Sequence, residues 1–254
     1  MSPRIFRSKK SRLWLTGTLL AISMPLFAQT TVSLNVDYAE GKYGESEKSS
    51  AWTIPLIIKH QIGDFSIKLN MPYVRATGTA AAGGDRFAPT RQVQEGFGDV
   101  VVTTMYELLG EHDSGLMLDI GAKAKFATAD KKYDLITTGK NDYSLLADFS
   151  QPIGALTGLL TIGKTKKGDP DGIDYRDPWF STVGLVYKAS EHSNVGVLYD
   201  YRQKLTAHGS PVSEATVFFE QKFSNQYRLQ AYLVGGFSDA SPDVGVGATF
   251  SARF

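Results

Sequence analysis

The sequence predicts an all-β protein: a closed antiparallel transmembrane β-barrel of about 12 strands, following an N-terminal signal peptide. Three observations predict it. From Thr31 to Phe254 apolar and polar residues alternate with a period of two, the period of a pleated strand. The alternating segments number twelve, an even count, as up-and-down closure across a membrane requires. The gaps between them alternate long and short, so odd and even connections fall on opposite sides of a barrier.

The leader comes first. Residues 1–12 are basic, and Leu13–Phe27 is an apolar run interrupted only by Thr16, Gly17, Thr18, Ser23 and Pro25. A basic start, a short apolar run and a small residue form the pattern of a secretory signal peptide. Cleavage after Ala28 divides the chain into a leader, 1–28, and a single barrel domain, 29–254. An uncleaved anchor is the weaker reading, because a spanning helix needs about 20 apolar residues and Pro25 breaks the last turn. The expected route is Sec export to the outer membrane of a Gram-negative type cell.

The strands follow as Val32–Tyr38, Trp52–Ile58, Phe65–Tyr73, Gly98–Leu108, Leu116–Phe126, Tyr143–Ser150, Leu156–Gly163, Trp179–Lys188, Val195–Lys204, Ala215–Phe223, a segment from Tyr227, and one from Val244 to the C-terminus. The last is the cleanest: Val244, Val246, Ala248, Phe250, Ala252 and Phe254 share one face. Gaps after the even strands are short, around 61–64, 110–114, 151–155, 189–194 and 224–226. Long gaps follow strands one, three, five and seven: 39–51, 74–97, 127–142 and 164–178. Strands of about ten residues at roughly 3.3 Å each, tilted near 45°, cross an apolar band of some 25 Å. Pro55 is the misfit, a mid-strand residue without an N–H, and a bulge there is the expected remedy.

Composition excludes several chemistries. There is no cysteine among the 254 residues, which removes disulfide frameworks, Cys-ligated zinc and thiol catalysis. Residues 1–28 carry five basic side chains (Arg4, Arg7, Lys9, Lys10, Arg12) and no acid; without them 22 basic residues meet 26 acidic ones, a net charge of −4. A nucleic-acid binder relying on overall positive charge is excluded.

Alternation alone also fits a soluble sandwich, so the facing must be argued. Aromatics gather at strand ends, with Tyr38, Trp52, Tyr73, Tyr143 and Trp179 toward the long loops and Tyr106, Tyr187, Phe223, Tyr227 and Phe254 toward the short turns, as girdles at two lipid interfaces would. Most mid-strand glycines (Gly121, Gly184, Gly196, Gly236, Gly245 and Gly247) fall on the polar face, where a crowded concave interior favours them, with Gly158 and Gly235 as exceptions. Apolar side chains are therefore expected to face lipid, with polar ones enclosed.

Several pieces then resemble a known family. Thr128-Ala-Asp-Lys-Lys, followed by Thr138-Gly-Lys-Asn-Asp-Tyr-Ser144, is similar to a signature of outer-membrane proteins named for the meta-pathway of phenol degradation and labelled transporters. Gly96-Phe-Gly-Asp99, Tyr199-Asp-Tyr-Arg202, Ser238-Asp-Ala-Ser-Pro-Asp243 before Gly245, and the closing Arg253-Phe254 resemble further pieces of it. The resemblance runs from about Trp52 to the C-terminus. It implies an outer-membrane β-barrel with a link to uptake of aromatic compounds. The last strand also resembles the signal read by the barrel-assembly machinery, with Phe250 and Phe254 as its aromatic residues and Ala252 as a departure from it.

On this reading the charges lining the lumen are Asp37, Lys59, Lys68, Asp99, Glu107, Asp119, Lys123, Lys125, Asp148, Lys188, Asp200, Arg202, Lys204, Glu220, Lys222, Arg228 and Arg253. Lys222, Arg228 and Arg253 collect at the short-turn end, facing Glu107, Asp119 and Asp148 on strands four to six. Two readings stand: a transverse field across a water-filled passage for small polar or anionic solutes, or a salt-bridge network that fills the lumen. A lipid-modifying enzyme is the alternative of a different class, with His208, Ser210 and Ser213 its only candidates on the outer side. An adhesin or purely structural barrel is a third. The acidic run 169–174 resembles part of a calcium loop but lacks the downstream Glu, so no metal or other cofactor is expected. Expected partners are outer-membrane lipids and lipopolysaccharide, and the assembly machinery with periplasmic chaperones during biogenesis; no nucleic acid is expected.

Overall fold

The computed structural model describes residues 28–80, 87–110, 115–170 and 172–254; the leader expected over 1–28 lies almost entirely outside them. Thirteen strand segments follow in order: β1 (Ala28–Gly41), β2 (Ser49–Ile62), β3 (Phe65–Ala80), β4 (Phe87–Phe97), β5 (Val100–Leu109), β6 (Met117–Phe126), β7 (Asp142–Ile153), β8 (Leu156–Lys166), β9 (Trp179–Lys188), β10 (Ser193–Arg202), β11 (Val212–Lys222), β12 (Tyr227–Gly236) and β13 (Val244–Arg253). Every pairing is antiparallel, and β1 pairs with both β2 and β13, so the sheet closes. The seam is finished by reciprocal backbone bonds between Thr30 and Phe254, at 2.8 and 3.2 Å. Closure leaves no unpaired barrel edge, which in hydrocarbon would cost several kcal/mol per unmet group.

β4 and β5 are two halves of one stave, which gives twelve staves. β3 pairs with β4 at Tyr73↔Phe97 and with β5 at Asn70↔Val101, so Met71 and Pro72 oppose three residues, 98–100. This is a β-bulge, with Gly98 donating to the Pro72 carbonyl at 2.8 Å. It reverses the alternation: outward residues are odd-numbered before it (Val93, Phe97) and even-numbered after it (Tyr106, Leu108). The bulge expected at Pro55 is not there. β1 and β2 keep one register on either side of it, at Leu34↔Leu56 and Asp37↔Thr53, with the ladder interrupted only between these pairs. Pro55 stands opposite Pro72 and both face inward, so the irregularity falls one strand over, where a glycine permits it.

The apolar rows face outward. Leu34, Ile54, Ile67, Leu145, Val183, Val217, Leu233 and Phe250 are all well exposed, up to 72% for Leu145. A soluble sandwich would bury them; this barrel presents them to lipid.

Segment 74–97, expected as a long outer loop, is mostly strand: β3 runs on to Ala80 and β4 returns from Phe87, a tongue rising above the rim. Its alternation is polar because, above the lipid, nothing requires apolar residues on the outer face. For the same reason β1, β2 and β7 extend beyond the expected limits.

The dry part of the molecule is the crown of outer loops. Numbered by the outer connection they form, the described ones are L1 (42–48), L3 (127–141), L4 (167–178), L5 (203–211) and L6 (237–243). Tyr43 of L1, Leu135 of L3, Tyr175 and Pro178 of L4, Leu205 of L5, and Ala240 and Ser241 of L6 are buried. Leu135 packs on Ala51, Ala76 and Val74 of the inner faces of β2 and β3, so L3 folds into the mouth.

Candidate functional site

The site is the lumen beneath that crown. Because the strands tilt, residues paired directly across neighbouring strands form rows that climb as they pass round the wall. One row runs Arg253, Thr31, Lys59, Lys68, Thr103, Lys123, Ser144, from the inner end of β13 to the outer end of β7. Beside it runs Lys222, Arg228, Ser251, Ser33, Ile57, Asn70, Val101, Lys125, Asp142. Together they make a basic stripe. An acidic row, Glu107, Asp119, Asp148, Thr161, Thr182, Asp200, Glu214, climbs from the inner end of β5 to the outer end of β11. At the short-turn end Lys222, Arg228 and Arg253 lie on β11 to β13 and Glu107, Asp119 and Asp148 on β5 to β7, and tilt carries both groups into stripes that wind upward.

The basic stripe is under-compensated. Arg228 approaches Glu220 at 3.7 Å, and Glu220 also accepts from Asn194 at 3.0 Å. Lys59, Lys68 and Lys123 have no ion pair among the described residues. Lys59 and Lys68 stand directly opposite each other. Lys123 instead lies over the Phe180 ring, 5.0 Å from its centre. Lys68, Asn70, Thr103, Lys123, Phe180 and Arg202 line a cavity of about 480 Å³ in the outer half of the lumen. Like charges also adjoin on the acidic row, where the buried Asp148 Oδ1 has no donor among the described residues.

Not every ring faces lipid. Phe180, Phe218 and Tyr232 point inward, each lying across a glycine on the next strand: Gly163, Gly196 and Gly247. Tyr232 passes over Gly247 to β1, where its hydroxyl donates to Asp37 Oδ2 and accepts from Asn35 Nδ2, both at 2.9 Å.

At the outer end an ion chain ties the loops to the wall. Asp99, carried inward at the bulge, accepts from the Ala129 N–H at 3.1 Å and from Thr137 Oγ1 at 2.7 Å. Lys125 lies 3.3 Å from Asp99 and 3.1 Å from Asp142, and Lys167 of L4 lies 2.8 Å from Asp142. Neighbouring loops are joined around the crown: Arg91 of β4 to Glu47 of L1 (3.3 Å), Gln94 of β4 to Asp134 of L3 (2.6 Å), the Arg176 N–H to the Leu205 carbonyl (2.7 Å), and Ser238 Oγ to the Pro211 carbonyl (2.6 Å). Where β8 passes into L4, the Lys167 N–H and the Lys166 ammonium hold the Asp177 carboxyl below the usual carboxylate range.

Of the charges expected in the lumen, Lys204 is misplaced: it lies past the end of β10, its ammonium on the Ala207 carbonyl of L5. Asp142, Lys167 and Glu214 were missed, because they sit where strands merge into loops and alternation fades. His208 is exposed on L5 and makes no side-chain bond to a serine among the described residues, while Ser213 Oγ pairs with Tyr199 OH at 2.8 Å.

No family model and no curated protein matches this chain. Solved structures do. The COG4313 outer membrane channel from Pseudomonas putida F1 aligns over 91% of this chain and 97% of its own, with a TM-score of 0.70 at 12% identity. This is the fold of an outer-membrane β-barrel. The KdgM porin aligns over 88% of this chain and 99% of its own, with a TM-score of 0.57 at 11% identity. KdgM in complex with disordered oligogalacturonate gives 0.55 at 8% identity, over 88% of this chain and 98% of its own.

Proposed function

We propose that this barrel is an outer-membrane channel passing small anionic solutes by passive diffusion, with the loop crown controlling access. The observation that carries it is the run of ammonium groups without an ion pair among the described residues, Lys59, Lys68 and Lys123, in a basic stripe from the inner end to the cavity bounded by Lys167 and Pro178 of L4. A network kept only to stiffen the barrel would pair its charges, since adjacent like charges destabilise a sheet. An anion moving along the stripe exchanges one cation for the next, favourable enough to enter and weak enough to leave.

Phe180 beneath Lys123 supports aromatic carboxylates as members of that class, the ring offering an apolar face beside the charge. The link to aromatic compounds implied by the resemblance belongs to this proposal. Asp99, Glu107, Asp119, Lys123, Lys125, Asp148, Asp200, Arg202, Glu220, Lys222, Arg228 and Arg253 are its lining residues, and Phe250 and Phe254 its assembly signal. The leader directs Sec export, and periplasmic chaperones and the assembly machinery deliver the chain to the membrane.

Reversal potentials across a planar bilayer test the reading. The barrel should favour chloride over potassium, and Lys59→Glu with Lys68→Glu should reverse that preference. Charge reversal at Arg228 and Arg253 should shift it in the same direction. Folded protein without conductance, or with selectivity unmoved by these changes, would defeat the proposal.

A further inference from the structure

The lipid-facing wall is not uniform. On β6 the outward residues are Ile120, Ala122, Ala124 and Phe126, so two methyl groups stand where neighbouring strands carry larger side chains. Across from them on β7 stand Leu145, paired with Ala122, and Tyr143, paired with Ala124; they are 72% and 52% exposed. On β5 the other bank is Val102 and Thr104. The result is a mostly apolar groove of about 510 Å³ over β6, opening outward. Its upper end is bounded by Lys164 and Lys166 on the outward face of β8, and by Asp177. Lys164 lies 5.5 Å from the centre of the Trp179 ring, and Lys166 lies 3.1 Å from Asp177 with its side chain 74% exposed.

We infer that this groove is a binding site for lipid A, the phosphorylated glycolipid of the outer leaflet. The inference rests on the outer-membrane reading of the fold and is independent of what the lumen passes. Outward alanines occur elsewhere, Ala231 opposite Ala248 among them, but on β6 two stand at successive outward positions between the larger side chains of β5 and β7. A trough with alanines for its floor suits an acyl chain held in one place. The depth matches: Ala122–Phe126, Tyr143–Leu145 and Lys164–Lys166 all occupy the long-loop halves of their strands, level with the outer leaflet. The charge matches as well. Two ammonium groups with one carboxylate leave a net positive rim where the lipid carries phosphate, and Trp179 supplies the amphipathic ring expected at that interface. The Asp177 carboxylate keeps Lys166 extended along the rim rather than free to fold away.

The test is native mass spectrometry of the refolded barrel in a neutral detergent, with bisphosphorylated lipid A or phosphatidylglycerol added. One lipid A should be retained per barrel, in preference to phosphatidylglycerol. Lys164→Glu with Lys166→Glu should lower retention roughly tenfold or more, each lysine at a membrane surface contributing about 1 kcal/mol. Ala122→Leu with Ala124→Leu should lower it comparably while leaving every charge in place. Heat-modifiable gel migration reports that each variant is folded and is the separate check on the barrel itself. Retention unchanged in either folded variant, or phosphatidylglycerol held as firmly as lipid A, would overturn the site.

Discussion

Tyr232 and Gly247 show how a narrow barrel accommodates a ring. A Cβ at Gly247 would stand inside the Tyr232 ring, so the glycine is what lets the ring lie flat against β13 and reach Asp37 and Asn35 on β1. The hydroxyl thereby satisfies polar atoms two strands away. Gly247→Val should lift the ring and cost about 1–3 kcal/mol, the usual range for overpacking. Equilibrium unfolding in urea from lipid vesicles measures this. Much of that cost should vanish in Gly247→Val with Tyr232→Ala, because only the pair conflicts. The sequence places Gly247 on the polar face by alternation alone. It does not reveal the ring, since an inward aromatic and an outward one have the same composition, and only the register Tyr232↔Gly247 brings them together.

L3 is the loop that folds into the mouth of the barrel. Asp99 fastens its start and middle at once, accepting from the Ala129 N–H and Thr137 Oγ1, while Leu135 seats on Ala51 and Ala76 and Lys125 links Asp99 to Asp142. Asp99→Asn keeps the shape but removes the charge that Lys125 and these donors share. Charge-assisted bonds contribute roughly 1.5–3 kcal/mol each, so L3 should spend more time displaced. The expected result is higher and noisier single-channel conductance with an unchanged heat-modifiable gel shift; a steady, wild-type trace would show that the clasp does not control the mouth. This element was only half legible beforehand. The twelve staves could be counted because lipid enforces alternation within its thickness. Above the lipid that constraint ends, so β4 read as loop, and the Gly98 bulge that turns Asp99 inward lay where no periodicity marked it.

For the whole molecule, the tilt of the strands matters more than any one residue. With vertical strands, paired charges would form level rings; tilted strands carry the same pairs upward, so like charges line up in stripes that wind toward the outer mouth and meet opposite charge at local ion pairs such as Lys125 with Asp142 and Arg228 with Glu220. The sequence could list the inward charges, because parity is local, but not the stripes, because the stagger between staves is a property of closure. Keeping like charges adjacent has a cost. Glu107, Asp119 and Asp148 stand side by side, and one buried oxygen of Asp148 has no donor among the described residues. Asp119→Asn with Asp148→Asn should therefore stabilise the barrel, by about 0.2–1 kcal/mol per relieved contact, and at the same time increase its preference for anions. The two readouts together separate a permeation field from a stiffening network. A network would lose stability when its carboxylates were neutralised, whereas a field loses only its counter-charge, so a double variant less stable than the parent with unmoved reversal potential would show that the acidic stripe serves the scaffold and not the passage of ions.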